Sequence, residues 1–231
     1  MASPKQLSEI HTEMDLASGS KEADAKLSAI QERVGRDLED KYGVKIIFES
    51  RFSNVELYAD HLPADMPKHA LVSKKPEQTG IMPDGGILLV ETTGQDGNLR
   101  RMPILVSENK KQGTGKTYFN KYGRPYKAKG NAVERLAKNI QYLRNWLSGE
   151  AILPFVAFCY GSDFCPNSYI IDRVASMANF APGNTINENA VSWFYRETPF
   201  GEKEIYDILY VVAKNSLDYY MGKVWKLREA A

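Results

Sequence analysis

The chain has 231 residues, a formal net charge of +1, 43% hydrophobic residues and only two cysteines. That length suits a single domain, residues 1–231, able to bury roughly 70–75% of its unfolded surface, so no disulfide or metal staple is required for stability. Cys159 and Cys165, spaced C-x5-C with no neighbouring His or second Cys pair, support neither a zinc site nor a redox motif and are read as free thiols.

From the N-terminus, residues 1–20 read as frayed, and the first thirty residues hold no apolar stretch of the kind a secretion signal needs. No apolar run approaches bilayer-spanning length, so the expectation is a soluble, cytoplasmic protein with no membrane partner. An acid-x-lysine, Asp24 to Lys26, sits in a polar stretch with no partner. Leu27, Ile30, Val34 and Leu38 recur at spacings of three and four and predict an amphipathic helix. Val44 to Phe48 follows as a strand, and residues 60–80 are Pro-rich and irregular.

Pro83-Asp84-Gly85-Gly86 opens the most informative stretch. Ile87-Leu88-Leu89-Val90 reads as a buried strand, Thr93 to Asn98 is turn chemistry, and Met102-Pro103-Ile104-Leu105-Val106 returns as a second apolar run leading into Ser107-Glu108-Asn109-Lys110. In an antiparallel hairpin centred near Asp96, residues whose numbers sum to about 192 face each other, which sets Asp84 opposite Glu108. Side chains alternate along a strand, so Glu108 and Lys110 share one face and Asn109 takes the other. Two carboxylates suit a hard cation such as Mg2+, and a lysine beside it can position a water. The chemistry this fits is metal-assisted attack of water on a phosphodiester. The plain alternative is a turn followed by an ordinary solvated strand end.

Charge is unevenly spread. From Arg100 to Arg135 ten cations face two acids, leaving the rest of the chain at −7. A basic block on an acidic body is an electrostatic footprint for a polyanion such as DNA, although charge runs are also common as solvated faces. Residues 112–129 lack apolar periodicity and interleave Tyr118, Phe119, Tyr122 and Tyr126 with Lys116, Lys121, Arg124 and Lys127. Loops of that length usually carry function, and an arm that wraps a duplex is the expectation, against a surface loop pinned by its aromatics. Within it, Gly113-Thr114-Gly115-Lys116-Thr117 looks like a phosphate-binding loop. Lys110 stands where the first glycine of that pattern belongs, and Gly123 and Pro125 break the helix that should follow. No nucleotide cofactor is therefore expected.

A helix is predicted from about Asn131 to Leu147, with Val133, Leu136, Ile140, Leu143 and Leu147 as its buried stripe. At its head Asn131, with Glu134 three residues on, is a good N-cap pair; an Asn amide and an Arg such as Arg135 can equally read base edges in the major groove. Ile152 to Phe158 reads as a buried strand, residues 160–200 are loop-rich, and Glu204 to Arg228 looks helical. The order points to an α/β fold, a mixed central β-sheet flanked by helices on both faces, with the extended arm beside it.

Taken together, Pro83-Asp84-Gly85-Gly86, Ile104 to Gly113, and Gly130-Asn131-Ala132-Val133-Glu134-Arg135 with Lys138-Asn139-Ile140 resemble the EcoRI-type type II restriction endonucleases of the PD-(D/E)xK nuclease superfamily. Fainter echoes in Leu153 to Val156, Gly161 to Phe164, Asp172-Arg173, Ser216-Leu217 and Gly222 extend it over roughly residues 45–228 in unbroken order. The resemblance implies a homodimer that binds palindromic double-stranded DNA and cuts both strands with Mg2+. It implies Asp84 and Glu108 as metal carboxylates, the Asn109 main-chain carbonyl as a further ligand, and Lys110 as the catalytic lysine. It implies Asn131, Ala132 and Arg135 as major-groove readers oriented by Glu134, with Gly130 and Arg173 as further DNA contacts, and an inner AATT within the site, GAATTC leading; Lys116, Arg124 and Lys129 are read as DNA contacts from the basic block alone, since the arm's contacts do not carry over from the family. The insert between Asp84 and Glu108 is long for the family, residues 112–129 differ strongly, and Lys111 adds a charge beside the metal site. Another nuclease of the superfamily, for repair or junction resolution, would keep the acids and lysine without needing Asn131 or Arg135. A non-catalytic DNA-binding protein would need only the basic block.

Overall fold

A computed structural model describes residues 4–53, 80–93, 99–111, 129–147, 149–161, 164, 180–182, 191–196 and 198–229, with backbone alone for 4–20, 129–133, 180–182 and 223–229. In chain order the elements are α1 (Pro4–Tyr42), β1 (Ile46–Glu49), β2 (Phe52–Ser53), β3 (Gly80–Ile81), β4 (Gly86–Thr93), β5 (Leu99–Lys111), α2 (Lys129–Trp146), β6 (Phe155–Tyr160), β7 (Phe180–Pro182), β8 (Val191–Arg196) and α3 (Glu202–Glu229). Six strands form one sheet in the order β1-β4-β5-β6-β8-β7, and β2 and β3 make a separate two-stranded ribbon. The β1, β4 and β5 pairings are antiparallel and the β5, β6, β8 and β7 pairings parallel, so the sheet is mixed as expected.

Both faces of the central strands are apolar, and each is covered. On one face Ile87, Leu89, Val106, Phe155 and Ala157 pack under Leu136, Ile140 and Leu143 of α2 and Leu147 just beyond it. From Leu136 onward the predicted stripe is the one buried, while the Val133 side chain lies outside the described residues. On the other face Leu88, Leu105, Val156 and Phe158 meet Leu27, Ile30, Val34 and Leu38 of α1 and Leu209, Val212 and Leu217 of α3. Each such side chain contributes about 1.5–3 kcal/mol through removal from water, which is what clamps three helices onto one sheet. Polar contacts tie α1 to α3 at their outer edge: Arg33 donates to Glu202 at 3.3 Å and the Tyr206 hydroxyl to Asp37 at 2.5 Å.

Several boundaries differ from the sequence-based expectation. The first helix begins at Pro4, so residues 4–20 are its N-terminal turns and not a frayed end. The second begins at Lys129, two residues ahead of Asn131, which places Asn131 within the first turn and not at the cap. Strand β6 starts at Phe155, with Pro154 just outside it accepting a hydrogen bond from the Val106 N–H at 2.7 Å. The loop-rich stretch 160–200 also supplies β7 and β8 to the sheet. Residues 60–79 and the arm at 112–128 lie outside the described residues.

Candidate active site

Strand β5 runs for 13 residues, longer than its partners, and its C-terminal end carries Ser107, Glu108, Asn109 and Lys110 to the rim of the sheet. Near the hairpin tip the β4–β5 register sums to 192, as expected, from Leu89↔Pro103 to Thr93↔Leu99. A bulge follows. Past it the partners are Leu88↔Leu105, Ile87↔Val106 and Gly86↔Ser107, one residue out of step. The extra residue is Ile104, and it explains why Ile104 and Leu105, neighbours in sequence, both pack on the α1/α3 face.

The displaced register alone would set Asp84 against Asn109, on the wrong face for Glu108. The turn corrects this. The Gly86 N–H donates to the Pro83 carbonyl at 3.0 Å and the Gly85 N–H to the Ser107 carbonyl at 2.9 Å, closing a tight turn around Asp84. Gly86 takes φ +84°, a left-handed value that glycine adopts without penalty, and a Cβ there would sit 2.5 Å from Phe48 Cε2. Gly85 packs so closely on α1 that a Cβ would lie 2.8 Å from Leu27 Cγ. The Ser28 hydroxyl, also on α1, donates to the Asp84 main-chain carbonyl at 3.1 Å.

Held this way, Asp84 Oδ2 accepts from the Asn109 N–H at 3.2 Å and from the Lys110 ammonium. Lys110 Nζ also donates to Glu108 Oε2 at 2.5 Å. The other Glu108 oxygen accepts from the Asn139 side-chain amide of α2. Glu108 is 1% exposed, and that burial, more than its charged neighbours, pushes its carboxyl above the ordinary carboxylate range. For Lys110 burial works against the charge, but Glu108 and Asp84 outweigh it and hold the ammonium above the usual lysine value. Two carboxylate oxygens that converge on one cation, here the lysine's, are a donor set that fits a hard divalent ion. Among the described residues no group of three or more His, Cys, Asp or Glu side chains is placed to hold a metal.

Asp24 corrects the view of it as partnerless. On α1 it is close enough to feel Asp84 and Lys110, and burial first, then Asp84, raises its carboxyl to about 6. Cys159, opposite Lys110 on β6, is fully buried, and burial pushes its thiol up to about 12, which makes it inert packing. Beneath the site Ser107 donates at 2.5 Å to Gln31 of α1, itself fully buried.

The sequence singled out Asp84, Glu108 and Lys110, and the fold brings these three together. Gly130, Asn131 and Ala132 occupy the first turn of α2 as helical backbone, and Glu134 and Arg135 are exposed one turn on. Lys116, Arg124 and Arg173 lie outside the described residues. Asn139 and Gln31 were not anticipated as partners of the site. A signal existed for each: both are amides at positions where the helical spacing of apolar residues calls for a buried side chain. No helix among the described residues is long and apolar enough to cross a membrane.

Comparison with known proteins meets this geometry. The family model described as restriction endonuclease EcoRI matches residues 13–226. Two curated relatives are the type II restriction enzyme RsrI of Cereibacter sphaeroides, 38% identical over 104 residues, and the type II restriction enzyme EcoRI of Escherichia coli, 35% identical over 102. Those matches cover 42% and 41% of this chain and 36% and 35% of the relatives' own lengths, about a third of each. With the family model spanning most of its length and its acids and lysine gathered at the end of β5, the chain belongs to the EcoRI restriction endonuclease family.

Proposed function

We propose that the protein is a type II site-specific deoxyribonuclease that hydrolyses both strands of palindromic double-stranded DNA in a Mg2+-dependent reaction. The observation that carries this reading is the convergence of the Asp84 and Glu108 carboxylates on Lys110 at the C-terminal end of β5. Asp84 Oδ2 and Glu108 Oε2 would hold the ion, with the Asn109 carbonyl as a further ligand. When bound, Mg2+ supplies charge neutralisation at the scissile phosphate and acidifies a water. Lys110, beside both carboxylates, would orient the attacking water and donate to a phosphate oxygen. The water oxygen would bond to phosphorus as the bond to a deoxyribose oxygen breaks; the departing oxygen takes the electron pair and a proton from solvent, and the proton lost by the attacking water passes to solvent.

Asn131, Ala132 and Arg135, with Glu134, are proposed to read base edges from the head of α2, while the basic residues between Arg100 and Arg135 grip phosphates. Lys129, Gly130, Arg173, Lys116 and Arg124 are proposed as further DNA contacts. A palindrome read twice calls for a homodimer with two-fold symmetry. The run Gly130-Asn131-Ala132-Val133-Glu134-Arg135, through the family resemblance it carries, supports an inner AATT, with GAATTC the leading full site. Digestion of a plasmid in Mg2+ followed by sequencing of the cut ends tests this: ends that all map to one AATT-centred palindrome support it. Nicks without a common sequence, or cutting confined to branched DNA, would instead mark a repair or junction nuclease. Asn131→Ala is expected to lose about 1–3 kcal/mol of discrimination between the cognate site and a one-base variant, read from their relative cleavage rates. A variant that loses only stability would show Asn131 to be a helix residue and no more.

A further inference from the structure

The Glu108 carboxylate is held at both ends by different parts of the fold. Lys110, two residues along the same strand, takes Oε2 at 2.5 Å, while Asn139, 31 residues away on α2, takes Oε1. The first contact comes with the strand; the second depends on where the helix sits. Asn139 is 7% exposed and points its amide at a carboxylate that is 1% exposed, so water does not stand in for either partner. Neither Asn139 Nδ2 nor either Glu108 oxygen is among the buried polar atoms left without a partner.

Asn139 also closes a row along α2. Asn131, Arg135 and Asn139 recur every four residues, so their positions drift by only about 80° around the axis over about 12 Å. Arg135 on that row is exposed and Asn139 is buried, so the row passes from the surface into the core at the metal centre. Leu136 and Ile140, next to Arg135 and Asn139 in the chain, anchor the helix to the sheet.

We infer that Asn139 is a positioning residue: its amide fixes the rotation of the Glu108 carboxylate and makes that rotation depend on the seating of the same helix whose first turns are proposed to read DNA. The inference rests on the reading of Asp84, Glu108 and Lys110 as a metal-dependent centre. A carboxylate gripped at Oε1 presents Oε2 in one direction; released, it rotates about its terminal torsion, which is broad and roughly two-fold. Outer hydrogen bonds of this kind typically carry about 10–100-fold in metal affinity or activity when removed.

The test uses Asn139→Ala and Asn139→Leu, the second filling the space without a donor should the first fail to fold. Three quantities are measured on each folded variant: binding of Mn2+ alone, followed by the paramagnetic signal of the free ion; affinity for plasmid DNA without divalent ion; and the cleavage rate in Mg2+. The expected result is a loss of about 10–100-fold in Mn2+ affinity and in cleavage rate, with DNA affinity and cut-site preference unchanged. Unchanged Mn2+ affinity in both variants overturns the inference, as does a fall in DNA affinity alone, which would make Asn139 a DNA contact. If the wild-type protein itself neither binds Mn2+ nor cuts DNA, the proposed nuclease reading fails, and the variants are not needed to see it.

Discussion

Two glycines decide where one carboxylate points. Gly86 at φ +84° turns the chain so that Asp84 reaches Lys110 in spite of a register that would have placed it beside Asn109. Gly86→Ala is expected to destabilise the protein by about 1–3 kcal/mol in denaturant titration and to slow cleavage, because both the left-handed backbone and the Phe48 ring resist a Cβ. Asp24 gives a pH test. Its carboxyl is raised from 3.8 to about 6, so its favourable contribution is fully present below about pH 4 and is lost as pH rises through 6. Asp24→Asn removes that loss: without divalent ion the variant is expected to melt above the wild type at pH 8 and to converge with it below pH 4. Parallel melting curves across that range would contradict the burial of Asp24 beside Asp84. None of this was readable from Asp24 itself, because its neighbours in the fold are about sixty to ninety residues away in the chain.

At the level of elements, the hairpin was legible and its defect was not. Alternation along β5 puts Glu108 and Lys110 on one face in any register, and turn residues at 94–98 fix roughly where the strands reverse. The bulge at Ile104 is hidden because an apolar run looks the same with or without an extra residue when both faces of the strand are buried. The α2 stripe was legible from its apolar spacing, which also puts Asn139 on the buried face; what the spacing does not give is the partner, because Glu108 lies 31 residues away on β5. Helix α1 supports the site from behind through Ser28 on Asp84 and Gln31 on Ser107. Gln31 Nε2 already lacks a hydrogen-bond partner, so Ser107→Ala would leave the whole buried amide unpaired. A loss of about 1–3 kcal/mol of stability is expected from chemical denaturation, with DNA site preference unaltered.

Along the sequence, charge and chemistry follow one path. The cations between Arg100 and Arg135 start in β5, include Lys110 and Lys111 beside the carboxylates in the chain, and end with Arg135 of α2, while the remainder of the chain is acidic. If that path follows a phosphate backbone, affinity for duplex DNA should fall by about 10³-fold or more between 50 and 200 mM salt, measurable by fluorescence anisotropy. A flat salt dependence would mean that the basic block is a solvated face. The central claim, that Asp84, Glu108 and Lys110 form a metal-dependent centre for phosphodiester hydrolysis, is tested most directly by one comparison. Plasmid cleavage in Mg2+ is followed for the wild type and for Glu108→Ala at concentrations where both bind the DNA. Discrete fragments from the wild type and none from the variant, with DNA binding retained, is the predicted result; equal cutting by both, or a wild type that binds without cutting, would contradict it.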